Sequence, residues 1–199
     1  MTQKSEVKSF VRSRINEIGS FPDSKSIAVL ARLRRGIGKR PGEIPELWEW
    51  MMTDEQLRFS EPTYEEWASY IALTLYAFHQ QGNDIKQHQM NTDKRDFAQA
   101  MSLLSGGDKE ARNRIQNRMN QIANSDSIEM LAALLRQMVS LLRKEGIGFD
   151  YSKLAEDLFE YQYPDGRPHV LLRWGRSFCQ INKGKEENEN TTDNKGESL

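Results

Sequence analysis

The segment Thr63–Gln80 constrains the fold more than any other part of this chain. Thr63-Tyr-Glu-Glu66 has the capping-box pattern, in which Thr63 and Glu66 satisfy each other's backbone amides at a helix start. The helix that follows carries Trp67, Tyr70, Ile71, Leu73, Leu75 and Phe78, so it is apolar around much of its girth. Such a helix has to be enclosed. No convincing strand pattern offers a sheet to do it, so the sequence predicts an all-α protein with this helix at its centre.

The enclosing helices read out in order. Val7, Phe10, Val11, Ile15 and Ile18 form the apolar stripe of a first helix over Ser5–Ile18. Pro22-Asp23 opens a second, with Leu30, Leu33 and Ile37 on one side, which Gly36 and Gly38 stop. Pro41-Gly42 turns the chain toward Pro45 and a short helix whose Leu47, Trp48, Trp50, Met51 and Met52 make a dense apolar patch, read as core. Further helices are expected over Asp93–Leu104, from an Asp108 N-cap to Ala123, and after a capping box at Asp126-Ser-Ile-Glu129. Another follows Asp150, and Pro168 opens the last, with Val170, Leu171, Trp174, Phe178 and Ile181 inward and Arg173, Arg176 and Gln180 outward. Gly175, in the middle of that helix, suggests a close backbone approach. The polar stretch Gly82–Thr92 marks a boundary, giving two small helical-bundle lobes, 1–88 and 89–182. Residues 183–199 form a polar C-terminal tail expected to be disordered.

Several function classes are argued against. There is no apolar run near membrane-spanning length and the N-terminus is polar, so a cytoplasmic protein without a membrane partner is expected. The single cysteine, Cys179, has no partner for a disulfide or a zinc site and is expected to pack in a helix. His79, His88 and His169 lie far apart in sequence and in no metal-binding pattern; His79, on an apolar helix, reads as a hydrogen-bonded core residue. Glu65-Glu66 and Glu156-Asp157 are sequence neighbours that point apart on a helix. No serine sits in a nucleophile elbow, and Ser105-Gly-Gly-Asp108 lacks the ending of a phosphate-binding loop. The expectation is a non-enzyme without metal or cofactor.

Charge is segregated although the net charge is only −1. Lys25 to Arg40 holds six basic residues and no acid: Lys25, Arg32, Arg34, Arg35, Lys39 and Arg40. Residues 43–66 hold eight acids against Arg58, and residues 109–144 are again basic. On the helix after Asp108, Arg114 and Arg118 are four apart and share one border of the core side. On the next, Arg136 and Arg143 are seven apart on the stripe opposite the apolar face. Helix-dipole complementation accounts for two cations at a helix C-terminus, not for the whole cluster, so nucleic-acid contact stands level with simple capping and solvation. A helical adaptor using its acidic 43–66 segment to bind a basic protein is the alternative.

In order and spacing, Leu30-Ala-Arg-Leu-Arg-Arg35, Gly42-Glu-Ile-Pro-Glu-Leu-Trp48, Arg114-Ile-Gln-Asn-Arg118, the Leu-rich Met130 to Leu142 with Arg136, and Leu172-Arg-Trp-Gly-Arg-Ser-Phe178 resemble the CasB family. CasB is the small subunit of the type I-E CRISPR Cascade complex, and the likeness covers about Lys25 to Ile181. The resemblance implies a non-catalytic helical subunit serving antiviral defence. A second copy of itself, other Cascade subunits, guide RNA and single-stranded DNA would be its partners, with the displaced strand lying in a basic groove. Carried over by position, the DNA-facing residues would be Arg34, Arg35, Arg114, Arg118, Arg136 and Arg143. Six neutralised phosphates would give a log–log salt slope of about −4 on a single strand.

Overall fold

The computed structural model describes residues 2–51 and 60–193, with side chains as far as Gln180. Met52, Asp54, Glu55, Arg58 and the side chain of Ile181 therefore lie outside the described residues. The elements are α1 (Gln3–Ser20), α2 (Asp23–Arg35), a 3-10 turn (Pro45–Leu47) running into α3 (Trp48–Met51), α4 (Tyr64–His79), α5 (Phe97–Leu103), α6 (Lys109–Ala123), α7 (Ile128–Lys144), α8 (Tyr151–Tyr161) and α9 (Gly166–Asp193). Among the described residues the only extended pairing is a single bridge between Asn91 and Phe149, so the architecture is all-α.

The central helix is α4. Its capping box forms as the sequence predicts, and every residue from Trp67 to Ala77 is buried, as is His79. The helices α1, α2, α7 and α8 pack around it. Where α2 ends, the backbone is pressed so close that a Cβ at Gly36 would meet Tyr70 Oη at 2.6 Å and Leu47 and Thr74 at 2.9 Å. The Tyr70 hydroxyl donates to the Gly36 carbonyl at 2.9 Å, so α2 is fastened to α4 at that point.

Packing runs across the sequence boundary at residue 88. From the second half of the chain, α8 lies against both α1 and α4. The polar loop after α4 is folded back by Gln80, which donates to the carbonyls of Asn83 (3.2 Å) and His88 (3.0 Å) and accepts from Met90 N (2.9 Å). The Phe149 amide donates to Met90 O at 3.1 Å, and a Cβ on Gly148 would sit 2.7 Å from that carbonyl oxygen. The units 1–88 and 89–182 are thus joined by a shared core, and their separateness as lobes remains a proposal.

An ion-pair network locks α8 to α9 and α1. The carboxylate of Asp157, 2 % exposed, accepts from Lys153 (3.0 Å), Arg173 (2.8 Å) and Trp174 Nε1 (2.8 Å). Burial alone would raise the Glu160 carboxyl, but hydrogen bonds from Arg173 and Lys4 outweigh it and bring it to about 2. Arg173, expected to point away from the core, turns back because this buried carboxylate lies under its helix.

Other local expectations shift for definable reasons. Helix α5 starts at Phe97 because Asp96, not Asp93, supplies the cap, with Gln99 completing a capping box. Helix α7 is capped by Ser127 instead of Asp126. Helix α9 begins at Gly166, two residues before Pro168, where a Cβ would collide with the Glu160 carbonyl oxygen. Nothing lies within 4 Å of a Cβ at Gly175, so no close approach explains that glycine. The last helix is described as far as Asp193, and residues 194–199 lie outside the described residues. Trp48 is 47 % exposed, its indole donating to Gly42 O at 2.8 Å, while Leu47 and Met51 do enter the core. Cys179 is exposed on α9.

Replacing Asp157 by Ala leaves the Trp174 indole N–H without its acceptor and takes one of two carboxylates from Lys153 and Arg173, which keep Glu156 and Glu160. Leaving a buried donor unsatisfied and losing hydrogen bonds to a charged group cost about 1–3 kcal/mol each. Urea unfolding of Asp157→Ala is expected to show a loss of about 3 kcal/mol, with Asp157→Asn intermediate because its amide oxygen still accepts from Trp174.

Candidate nucleic-acid interface

The last turn of α4 gathers cations from both halves of the chain. A helix leaves its final carbonyls without intrahelical donors, and one of them, Ala77 O, accepts from Arg34 Nη1 at 3.5 Å. The next residue, Phe78, is only partly buried. Its ring lies under two guanidinium groups, Arg143 at 5.3 Å and Arg136 at 5.6 Å from the centroid. Just beyond the helix, Gln81 Oε1 accepts from Arg143 Nη1 at 3.2 Å. Seven residues are close to two helical turns, so Arg136 and Arg143 project from one stripe of α7. That stripe leans over the end of α4 instead of standing on the far side of the core.

The electrostatics are unusual for a soluble surface. Burial, and then the charge of Arg143, pushes the Arg34 guanidinium below its ordinary value. Among the described residues no carboxylate forms an ion pair with Arg34, Arg136 or Arg143. Neighbouring cations are compensated: Arg35 bonds both Glu46 oxygens (2.8 and 3.1 Å), Lys39 meets Glu43 at 2.8 Å, and Arg40 meets Glu61 at 3.2 Å. The acidic segment therefore spends three of its carboxylates on the basic stretch that precedes it.

Of the six arginines proposed from sequence, three come together here and three stand elsewhere. Arg35, one residue past Arg34, faces the 3-10 turn and borders an open cleft of about 710 Å³ with Arg32, Glu46 and Trp48. Arg114 and Arg118 project from α6; Arg114 lies 3.8 Å from Glu110, and no contact links either arginine to the group at α4. Arg136 also borders a cleft of about 250 Å³ with Glu129, Lys39, Arg40, Trp67 and Tyr70, where Lys39 and Arg40 are already paired with Glu43 and Glu61. Phe78 does pack against the core as the sequence reading has it, but that reading did not foresee the two arginines over its ring. Its place one turn before a polar loop was the available signal, because a helix end is where a core ring first meets solvent.

His79 is the hydrogen-bonded core histidine expected from sequence, with Nδ1 2.9 Å from the Tyr151 hydroxyl. Burial, chiefly, and the charge of Arg143 hold it down at about 4 against the Leu142 carbonyl, which favours the protonated ring. Among the described residues no group of His, Cys, Asp or Glu is arranged to hold a metal, and no helix is long and apolar enough to cross a membrane. What the arginine group can do is bind anionic oxygens through planar N–H forks.

Residues 29–178 match the family model of CRISPR-associated protein Cse2. Among solved structures, the chain is similar to CasB from Thermobifida fusca, with 32 % identity, TM-score 0.72, and 89 % of this chain and 98 % of that one covered. M. ruber CasB shares the fold at 22 % identity and TM-score 0.64, covering 94 % and 98 %. A Cse2-family CRISPR-associated protein from Thermus thermophilus does so at 21 % and 0.61, covering 89 % and 98 %. No protein of curated function matches the chain in sequence.

Because His79 is held neutral in the fold, the unfolded chain takes up a proton first as pH falls. Its contribution is nil above about pH 6.5, and stability is lost progressively between about 6.5 and 4, up to about 3 kcal/mol. Urea unfolding is expected to show a drop of about 2 kcal/mol between pH values of about 7.5 and 5, and His79→Gln should remove most of that dependence.

Proposed function

The chain belongs to the CRISPR-associated Cse2 family, and from that premise we propose that it is a non-catalytic small subunit of a type I-E RNA-guided surveillance complex, Cascade. In this reading two copies act beside other Cascade subunits in the cytoplasm, bracing guide RNA and target DNA for antiviral defence. Each copy holds the displaced single strand in a basic groove. One observation carries the strand-holding part: Arg34 from α2 and Arg136 and Arg143 from α7 meet at the end of α4 without a carboxylate partner among the described residues.

The mechanism is neutralisation of phosphate by arginine, which is indifferent to base sequence. Choice of target belongs to guide pairing. Arg35, Arg114 and Arg118 extend the proposed surface. The exposed pair Arg35–Glu46 is of a kind worth about 0–1 kcal/mol, so a phosphate can displace Glu46 at little cost.

In the assembled complex, Arg34→Ala/Arg136→Ala/Arg143→Ala is expected to weaken retention of the displaced strand and to make the salt slope shallower by about 2, at roughly 0.7 per phosphate contact. Arg35→Ala/Arg114→Ala/Arg118→Ala should do less. Binding measured over a salt series decides; an unchanged affinity and slope in the first variant would reject the groove.

A further inference from the structure

We infer that Phe78 is a positioning residue for the strand-holding arginines: its ring fixes Arg136 and Arg143 beside Arg34 while touching no phosphate itself. This rests on the strand-holding reading and adds the means by which the site is pre-organised.

The argument starts from how these side chains are held. An arginine loses rotamer freedom when it is fixed, and on most protein surfaces a carboxylate fixes it. A carboxylate, however, occupies the N–H donors and cancels the charge that a phosphate needs. Here the last turn of α4 holds the cations by other means: Ala77 O takes Arg34, Gln81 Oε1 takes one N–H of Arg143, and the Phe78 ring takes Arg136 and Arg143. A ring quadrupole attracts the delocalised charge without accepting a carboxylate-type hydrogen bond. The donors stay available and the net positive charge is kept.

Phe78 packs against the core, but its position differs from that of an enclosed core ring. Ala77 and His79, on either side, are wholly buried and packed, whereas Phe78 is partly exposed and covered on its open side by two cations. Burial, and then the charge of Arg143, draws Arg34 below its usual value, which puts Arg34 within electrostatic reach of the ring-held Arg143.

The test uses the full chain and a fluorescein-labelled oligothymidylate at low salt. Phe78→Leu is expected to weaken binding about 5- to 10-fold and Phe78→Tyr to stay within about 2-fold of the original, as loss and retention of two cation–π contacts require. In an Arg136→Ala/Arg143→Ala background, Phe78→Leu should have no further effect. An equal loss in both backgrounds overturns the inference, because Phe78 then acts on binding by another route. If Phe78→Leu does not unfold cooperatively, Phe78→Met replaces it with a ringless side chain of similar volume. The arginine Nε–H resonances of the free chain give an independent readout: ring-shifted signals that collapse in the ringless variant support positioning, and unchanged signals overturn it. An undiminished affinity of the arginine background itself rejects the strand-holding reading, a result separable from the resonance test.

Discussion

Enclosure of α4 is the constraint from which the rest of this structure follows. A helix with an apolar surface on nearly every side cannot lie on one partner; it needs neighbours around its whole circumference, and α1, α2, α7 and α8 supply them. Two of these come from each half of the chain, so the demand of one helix joins segments far apart in sequence. Only the ends of such a helix can reach solvent. Its N-terminus is sealed by Thr63 and Glu66, and its C-terminus, rich in orphan carbonyls, is where charged side chains from α2 and α7 can meet.

The fold treats its charges in two ways. On the α8–α9 side, cations and carboxylates are matched: Asp157, Glu156 and Glu160 take Lys4, Lys8, Lys153 and Arg173, which satisfies a buried carboxylate and ties three helices together. At the α4 terminus like charges are gathered, with no carboxylate paired to them among the described residues. Matched networks contribute rigidity; an unmatched group stores electrostatic repulsion that an anion relieves. Both come from a chain whose formal net charge is −1, so overall charge would have hidden the difference.

Element type and core were readable because helical periodicity reports burial directly: the stripes of α1 and α4 were named correctly down to Val7 and Tyr70. Helix starts were readable to within a few residues: Asp126 and Ser127 both suit an N-cap, and which of them is used depends on packing further on. Arg173 was misread because a helical wheel places it beside solvent and cannot see the buried Asp157 on another helix. For the same reason sequence named six arginines but could not sort them. Pairing of Arg35 with Glu46 and meeting of Arg34 with Arg143 are both long-range events, decided by which way the chain turns after Gly36 and by where α7 crosses α4.

Among the described residues, this near-neutral chain gathers three arginines without carboxylate partners at the end of α4, and that arrangement has a physical consequence for the proposed binding. At physiological ionic strength, charges more than about 8 Å apart in solvent are largely screened, so a distant strand is scarcely steered toward the protein. Within that distance a phosphate meets three guanidinium groups already held by the end of α4. In the strand-holding reading proposed above, such a site would retain a strand that neighbouring molecules hold nearby better than it captures one from dilute solution, because high local concentration supplies the encounter that long-range attraction does not. Placing the arginines on separate helices that only the folded core brings together makes that retention a property of the whole fold, not of any single basic segment.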